Sequence, residues 1–360
     1  MKILYLSSSS IPSEMANAVH VMHMCDAFKE LGHNVTLFCY NGIKEDPFTY
    51  YNTKNNFYIE QMRTSPFLPS NKILDTARIY LKYKMRNDFD LFYGRNLLAL
   101  WALRNNGTPI VYESHSTPPS KIHLKLESDI FRSSNFKHLT VITEQLKNKY
   151  LDTFECISPH NIVVAHDAAT PPSIAPKHSH KQNKRLRVGY VGTLSRGKGA
   201  AVVCRLAASC PQHEFHLVGK LEPDCKQMLE SATSNVYLYG HLPHKELSHL
   251  YPTFDVVLLP NQARIQVGNR DIGAWNSPMK LFEYMSHRLA IISSDFPNIR
   301  EILSHRKNAI LVRHDSIEDW ISSLNELEKN EELRKNIGQS AYKTLIENHT
   351  WKIRAKIALQ

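Results

Sequence analysis

Short apolar runs alternate with amphipathic stretches along the whole chain, and few folds accept that rhythm. Residues 2–6 read as a buried strand, and 17–31 as a helix with Val21, Met24, Cys25, Phe28 and Leu31 at helical spacing. Gly32 stops that helix, and 34–40 is the next strand. Segments 91–93, 110–112, 138–143 and 161–164 continue the series with helical stretches between them. After a proline-punctuated stretch the rhythm restarts with strands at 186–191, 214–218, 236–239, 255–259, 289–293 and 309–312, then a mostly helical 317–345. Strand and helix in alternation predict parallel sheets covered on both faces. The fold class expected is therefore α/β, with two Rossmann-like doubly wound domains facing a central cleft. Ligands of such sheets bind beyond the carboxyl ends of the strands, so the loops at 7–17, 94–96, 113–118, 192–199 and 260–278 are where chemistry is sought.

The 360 residues suit about two domains. The boundaries expected are 1–170 for a first domain, 171–187 for a linker, and 188–345 for a second domain. Residues 346–360 form a terminal helix expected to pack back toward the first domain. The net charge of +10 is unevenly spread: residues 1–170 carry 18 Lys and Arg against 16 acids, whereas 171–187 carry five bases and no acid. A charge run of this kind reads as a solvated linker, and attraction to an anionic surface is its alternative. The aromatic signature of RNA-binding sheets and the spacing of zinc fingers are both lacking, which argues against a nucleic-acid partner. Six dispersed cysteines without a CxxC pair support neither a disulfide framework nor a zinc ribbon. No apolar run approaches the roughly 20 residues a membrane span needs, so a soluble, cytoplasmic chain is expected.

The most informative segment runs from Asn276 to Met285. Ser277 suits an N-cap and Pro278 the first helical position. Lys280 then falls in the first turn, where the helix dipole disfavours a cation by about a few tenths of a kcal/mol. An anion on the free amides would reverse that sign, and a helix N-terminus with a lysine makes a phosphate site. Ser277, Pro278, Met279, Lys280 and Leu281 are accordingly the expected diphosphate stretch. Glu283, on the same face, is placed to accept hydrogen bonds from ribose hydroxyls. A surface Lys–Glu pair is the other reading of these residues.

Gly192 through Gly197-Lys198 matches phosphate-loop spacing, but Gly199 stands where that motif needs Ser or Thr for magnesium. A flexible loop carrying Arg196 and Lys198 toward a diphosphate is what survives. Glu113-Ser114-His115 follows a predicted strand, where His115 can act as acid, base or hydrogen-bond donor, or serve structure only. Asp88-Phe89-Asp90 looks like a DxD metal site but leads into a strand at its amino end, so no metal site is expected there.

Taken in order, these segments resemble glycosyltransferase family 4, the group 1 enzymes with the GT-B fold, which are retaining and use nucleotide sugars. The resemblance rests on 13–21, 32–36, Tyr112 to His115, 163–168, 190–199, 236–243, 255–260, 277–285, 297–301 and Thr350-Trp351. It implies that the amides after Ser277 and the Lys198 side chain hold the donor diphosphate, that Glu283 binds the ribose, and that His115 contacts the transferred sugar. It also implies electrostatic stabilisation of the leaving diphosphate without a required metal or cofactor. Three departures stand out. Ala16-Asn17 replaces a Gly-Gly pair, so Asn17 joins Glu113 as an expected sugar or acceptor contact. Thr193 replaces an arginine, leaving Arg196 three residues on. Trp275 stands where the first of two glutamates is usual, and either Asp271 substitutes for it or sugar recognition is altered, with Trp275 itself in that place. The donor expected is a UDP- or GDP-sugar and the acceptor a glycan or a lipid-linked glycan in surface polysaccharide assembly, with a peripheral contact to anionic membrane at the inner face. A P-loop-like NTPase and a non-catalytic nucleotide-sugar-binding partner are the rivals.

Overall fold

The chain opens with ten residues of extended backbone, β1 (Lys2–Ile11), five more than its apolar run predicts. The serines carry the strand on because they alternate: Ser7 and Ser9 are buried while Ser8 and Ser10 face solvent. Pairing with β2 (Asn34–Asn41) shifts register after Leu6 and resumes at Ser10 opposite Tyr40. Residues 7–11, expected in a loop, are thus sheet. The computed structural model describes residues 1–54, 57–62, 72–84, 86, 88–172, 185–268 and 270–360.

Met1–His166 and Trp351–Gln360 form one compact unit, and Asp167–Thr350 the other. The first is built on β1, β2, β3 (Tyr58–Met62), β4 (Leu91–Gly94), β5 (Ile110–Ser114), β6 (Phe136–Val141) and β7 (Ile162–Val164). They lie in the order β3-β2-β1-β4-β5-β6-β7, with every pair parallel. The order reverses between β1 and β4, which is where a doubly wound sheet opens a binding crevice. Tyr5, Phe28 and Tyr93 pack ring against ring beneath it. The Ala16–Glu30 helix follows β1 and carries the Trp351–Ile357 helix on its outer side.

The second unit repeats the design. Its strands are β8 (Arg187–Val191), β9 (Glu214–Val218), β10 (Val236–Leu238), β11 (Val256–Leu259), β14 (Ala290–Ser294) and β15 (Ile310–Val312), after a small hairpin of β12 (Gln266–Val267) and β13 (Arg270–Asp271). The sheet order is β10-β9-β8-β11-β14-β15, all parallel, with the reversal between β8 and β11. Val188, Tyr190, Leu217, Leu258 and Ile292 form one face of its core and meet Trp320 and Leu324 from the Ile317–Lys329 helix. Leu281, Tyr284 and Met285 of the Met279–Ser286 helix pack on the other face. The basic stretch expected as a linker, with Lys177, Lys181 and Lys184, lies largely in 173–184, outside the described residues, while Arg187 already belongs to β8. Among the described residues no helix is long and apolar enough to cross a membrane.

Candidate active site

In the second unit the loop after β8 is held by backbone constraints that only glycine meets. Gly192 has φ +131° and Gly199 φ +83°, and a Cβ on Gly199 would lie 1.9 Å from the Pro260 carbonyl oxygen. The Gln262 amide donates to the Gly197 carbonyl at 2.9 Å, which ties this loop to the one after β11. Gly199 caps the Ala200–Ser209 helix with no side-chain hydrogen bond, so nothing here occupies the metal-holding position of a phosphate loop.

Lys280 rises from the Met279–Ser286 helix under that loop. A Cβ on Gly192 would sit 3.5 Å from Lys280 Nζ, and Nζ lies 4.0 Å from the centroid of the Tyr190 ring. Nζ is buried and has no hydrogen-bond partner among the described residues. Burial, then the charge of Lys198, drive the Lys280 amine well below its usual pKa, against the pull of Glu283. Lys198 is lowered as well, chiefly by burial. Two amines are thus held in a setting that penalises their charge, as expected of a site whose ligand is an anion.

The helix begins one residue later than its sequence predicts. Pro278, not Ser277, is the N-cap, and the Ser277 hydroxyl is occupied by accepting a hydrogen bond from the Asp167 amide at 3.2 Å. The Leu281 amide donates to the Pro278 carbonyl at 2.9 Å, so it is not available to a phosphate. Met279 and Lys280 keep free amides at this N-terminus among the described residues. Glu283, one turn on, accepts a hydrogen bond from Tyr251 Oη at 2.5 Å, which orients its carboxylate. Arg196 is turned elsewhere: its Nε donates to the Asp224 carbonyl and its amide to the Asp224 carboxylate, both at 3.1 Å. Asp271 is likewise engaged, since its Oδ1 accepts from the amides of Ile265 and Gly273 at 2.9 Å and closes the hairpin. The structure therefore groups Lys198, Lys280, Met279 and Glu283, and leaves Arg196 and Asp271 holding loops.

In the first unit His115 leaves the carboxyl end of β5, and the preceding Glu113 belongs to the strand itself rather than to the loop after it. That placement encloses the Glu113 carboxylate completely, in contrast to the sugar or acceptor contact expected of it. Oε1 lies 2.6 Å from His115 Nε2, 2.8 Å from His20 Nε2 and 2.8 Å from Arg354 Nη2, while Tyr93 donates its hydroxyl to Oε2. Burial alone would raise this acid, but the Arg354 charge, then the neighbouring His20 and the hydrogen bonds from the imidazoles hold it well below the usual carboxylate range. His115 is lowered to about 3 by burial and by Arg95, despite Glu113, and this favours the neutral ring. Arg354 also reaches Met24 Sδ at 3.1 Å. Asn17 stands in the first turn of the Ala16–Glu30 helix, its Oδ1 buried without a hydrogen-bond partner among the described residues. Asp90, of the DxD lookalike, accepts from the Lys2 amide at 2.7 Å, and Asp88 pairs with Arg86 at 2.9 Å.

Sequence reading missed Arg354 and Tyr251. Arg354 had a signal, a single arginine among Ile353, Ala355, Ile357 and Ala358 in a short terminal helix. Tyr251 had none, because its hydroxyl meets Glu283 from a turn 32 residues away.

These two Rossmann-like units, one with a buried lysine amine at a helix N-terminus and a second lysine beside it, have the architecture of a GT-B glycosyltransferase. The model for "Glycosyltransferase Family 4" matches residues 18–168, and that for "Glycosyl transferases group 1" matches 173–344. The chain belongs to the group 1, family 4 glycosyltransferases, and the P-loop NTPase reading is set aside on that ground. No curated protein matches it significantly in sequence. Among solved structures, HepE from Anabaena in complex with UDP and glucose is similar at 16% identity, covering 100% of this chain and 98% of that one, with a TM-score of 0.74. A glycosyltransferase from Rickettsia africae has a TM-score of 0.76 at 12% identity, covering 99% and 96%. The lipopolysaccharide outer core galactosyltransferase WaaB has 0.69 at 16%, covering 100% and 99%.

Proposed function

We propose that the chain transfers a hexosyl group from a UDP- or GDP-sugar to a glycan or lipid-linked acceptor in surface polysaccharide assembly, with retention of anomeric configuration. The observation that carries this reading is Lys280 Nζ, buried and, among the described residues, without a hydrogen-bond partner, beside Lys198 and the amides of Met279 and Lys280. Lys198, Lys280 and the helix N-terminus supply the positive field for a departing nucleoside diphosphate, a task that many transferases give to a divalent cation. No metal is then required. Glu283, oriented by Tyr251, accepts hydrogen bonds from the ribose. His115 meets a hydroxyl of the transferred sugar as a neutral ring, and Asn17 offers its carbonyl to sugar or acceptor. The UDP-glucose and UDP complexes of HepE support a nucleotide-sugar donor by analogy, and WaaB supports a polysaccharide acceptor in the same way.

The acceptor reading includes peripheral contact with the inner face of the membrane. Leu74 and Leu81 of the Lys72–Tyr83 helix are exposed, an apolar face suited to the membrane interface, with Arg78 and Lys82 beside them paired to Asp75 and Glu60. Incubation of the protein with UDP- and GDP-sugars, each with a lipid-linked glycan and with EDTA, tests the proposal. It predicts nucleoside diphosphate release that depends on the acceptor, and a product whose anomeric proton coupling matches the donor. Binding of a nucleotide sugar without turnover would make the chain a non-catalytic partner instead.

A further inference from the structure

Glu113 makes more contacts than a structural carboxylate needs, and every one converges on its orientation. Tyr93 occupies Oε2, while Arg354, His115 and His20 all converge on Oε1. The Glu113 side chain has no solvent exposure and that of Arg354 only 1%, so the carboxylate reaches neither sugar nor acceptor. The His115 side chain, by contrast, is 18% exposed. A carboxylate can only accept, so the nitrogen 2.6 Å away must donate. In a neutral imidazole that leaves the proton on Nε2 and a lone pair on Nδ1. His115 Nδ1 has no hydrogen-bond partner among the described residues.

We propose that Glu113, clamped by Arg354 from the terminal helix, is a positioning residue that fixes His115 in the Nε2–H tautomer and presents Nδ1 as a hydrogen-bond acceptor to a hydroxyl of the transferred sugar. The inference rests on the sugar contact proposed for His115. It specifies the chemistry of that contact: the sugar group must donate, so a donor with that hydroxyl replaced by hydrogen or fluorine is a poor substrate. It also gives the C-terminal helix a task in the reaction, because Arg354 fixes the oxygen on which His115 depends. A fixed tautomer matters because the wrong one turns an acceptor toward the substrate into a donor.

Long-range proton–nitrogen correlation spectra of the full-length protein report the tautomer directly, with the His115 signals assigned by their loss in His115→Gln. The wild type is expected to show the Nε2–H form. In Glu113→Gln the amide can present either an acceptor or a donor to the ring, so a mixture of tautomers is expected, with kcat lower by about tenfold or more and donor KM little changed. Arg354→Lys keeps a charge on Oε1 and should keep both the tautomer and most of kcat. An Nδ1–H form or an imidazolium in the wild type overturns the proposal, and that result stands even if Glu113→Gln fails to fold. An unchanged tautomer in a folded Glu113→Gln overturns it too. A shifted tautomer with unchanged kcat removes the sugar contact of His115 itself, which is the failure of the underlying reading rather than of the positioning.

Discussion

Replacing Lys280 by methionine should stabilise the protein in the absence of nucleotide and weaken its grip on nucleotide. Methionine keeps most of the aliphatic stem under Gly192 and removes the amine. An unsatisfied buried polar group costs about 1–3 kcal/mol. The Tyr190 ring, 4.0 Å from Nζ, offsets about 0.5–2 kcal/mol of that. A net gain of about 1 kcal/mol is expected, which raises the melting temperature by about 2–4 °C for a unit the size of Asp167–Thr350. With a nucleoside diphosphate the sign reverses. A hydrogen bond between charged groups contributes about 1.5–3 kcal/mol, so affinity for UDP or GDP should fall about 10- to 150-fold. Thermal denaturation gives the first quantity and calorimetric titration the second. A variant that is less stable than wild type and binds nucleotide equally well would show that Lys280 serves packing, and would refute the reasoning.

Because Lys198 and Lys280 both titrate below the usual lysine range, nucleotide binding should take up protons once the pH exceeds their depressed values; equal binding enthalpies in alkaline buffers of different ionisation enthalpy would contradict this. Glu283→Ala should weaken nucleoside diphosphate binding by about 1–2 kcal/mol, and Tyr251→Phe by less, since the first removes the acceptor and the second only its orientation. His115→Ala should lower turnover more than donor affinity, as steady-state kinetics will show. Glu127, buried beside Tyr112 with its Oε2 unpartnered among the described residues, is raised to about 7 chiefly by burial. Its folded state therefore holds the proton more tightly than the unfolded one, so its contribution to stability is lost as pH rises from about 4.5 to 7. Glu127→Gln should then be more stable than wild type by up to about 3 kcal/mol at pH 8, with a flatter profile in chemical denaturation below pH 7.

The succession of strands was legible because parallel strands are buried on both faces and read as largely apolar runs, as 255–259 does. β3 was not, because Tyr58-Ile59-Glu60-Gln61-Met62 forms an edge and carries polar residues. The serines of β1 hid a strand for a related reason: small hydroxyls pack inside a sheet, yet propensity assigns them to loops. At the site, Lys280 and Glu283 were visible from helix spacing alone. The enclosure of Glu113 was not, because it needs Tyr93, His20 and Arg354, which are brought together only by the fold. The partners of Arg196 and Asp271 were not legible either: Asp224 meets Arg196 from 28 residues along the chain, and the Ile265 amide meets Asp271 by closure of the hairpin.

The central claim, that the protein's own lysines and a helix terminus hold a nucleotide sugar's diphosphate, is tested most directly by thermal stabilisation. UDP, GDP, ADP, their sugars and ATP would each be added with magnesium and with EDTA, since a ligand that binds only the folded state raises the melting temperature. The account predicts a shift with UDP or GDP and the matching sugar that persists in EDTA and diminishes in Lys280→Met. A shift confined to ATP with magnesium, or one with UDP or GDP abolished by EDTA, would contradict it.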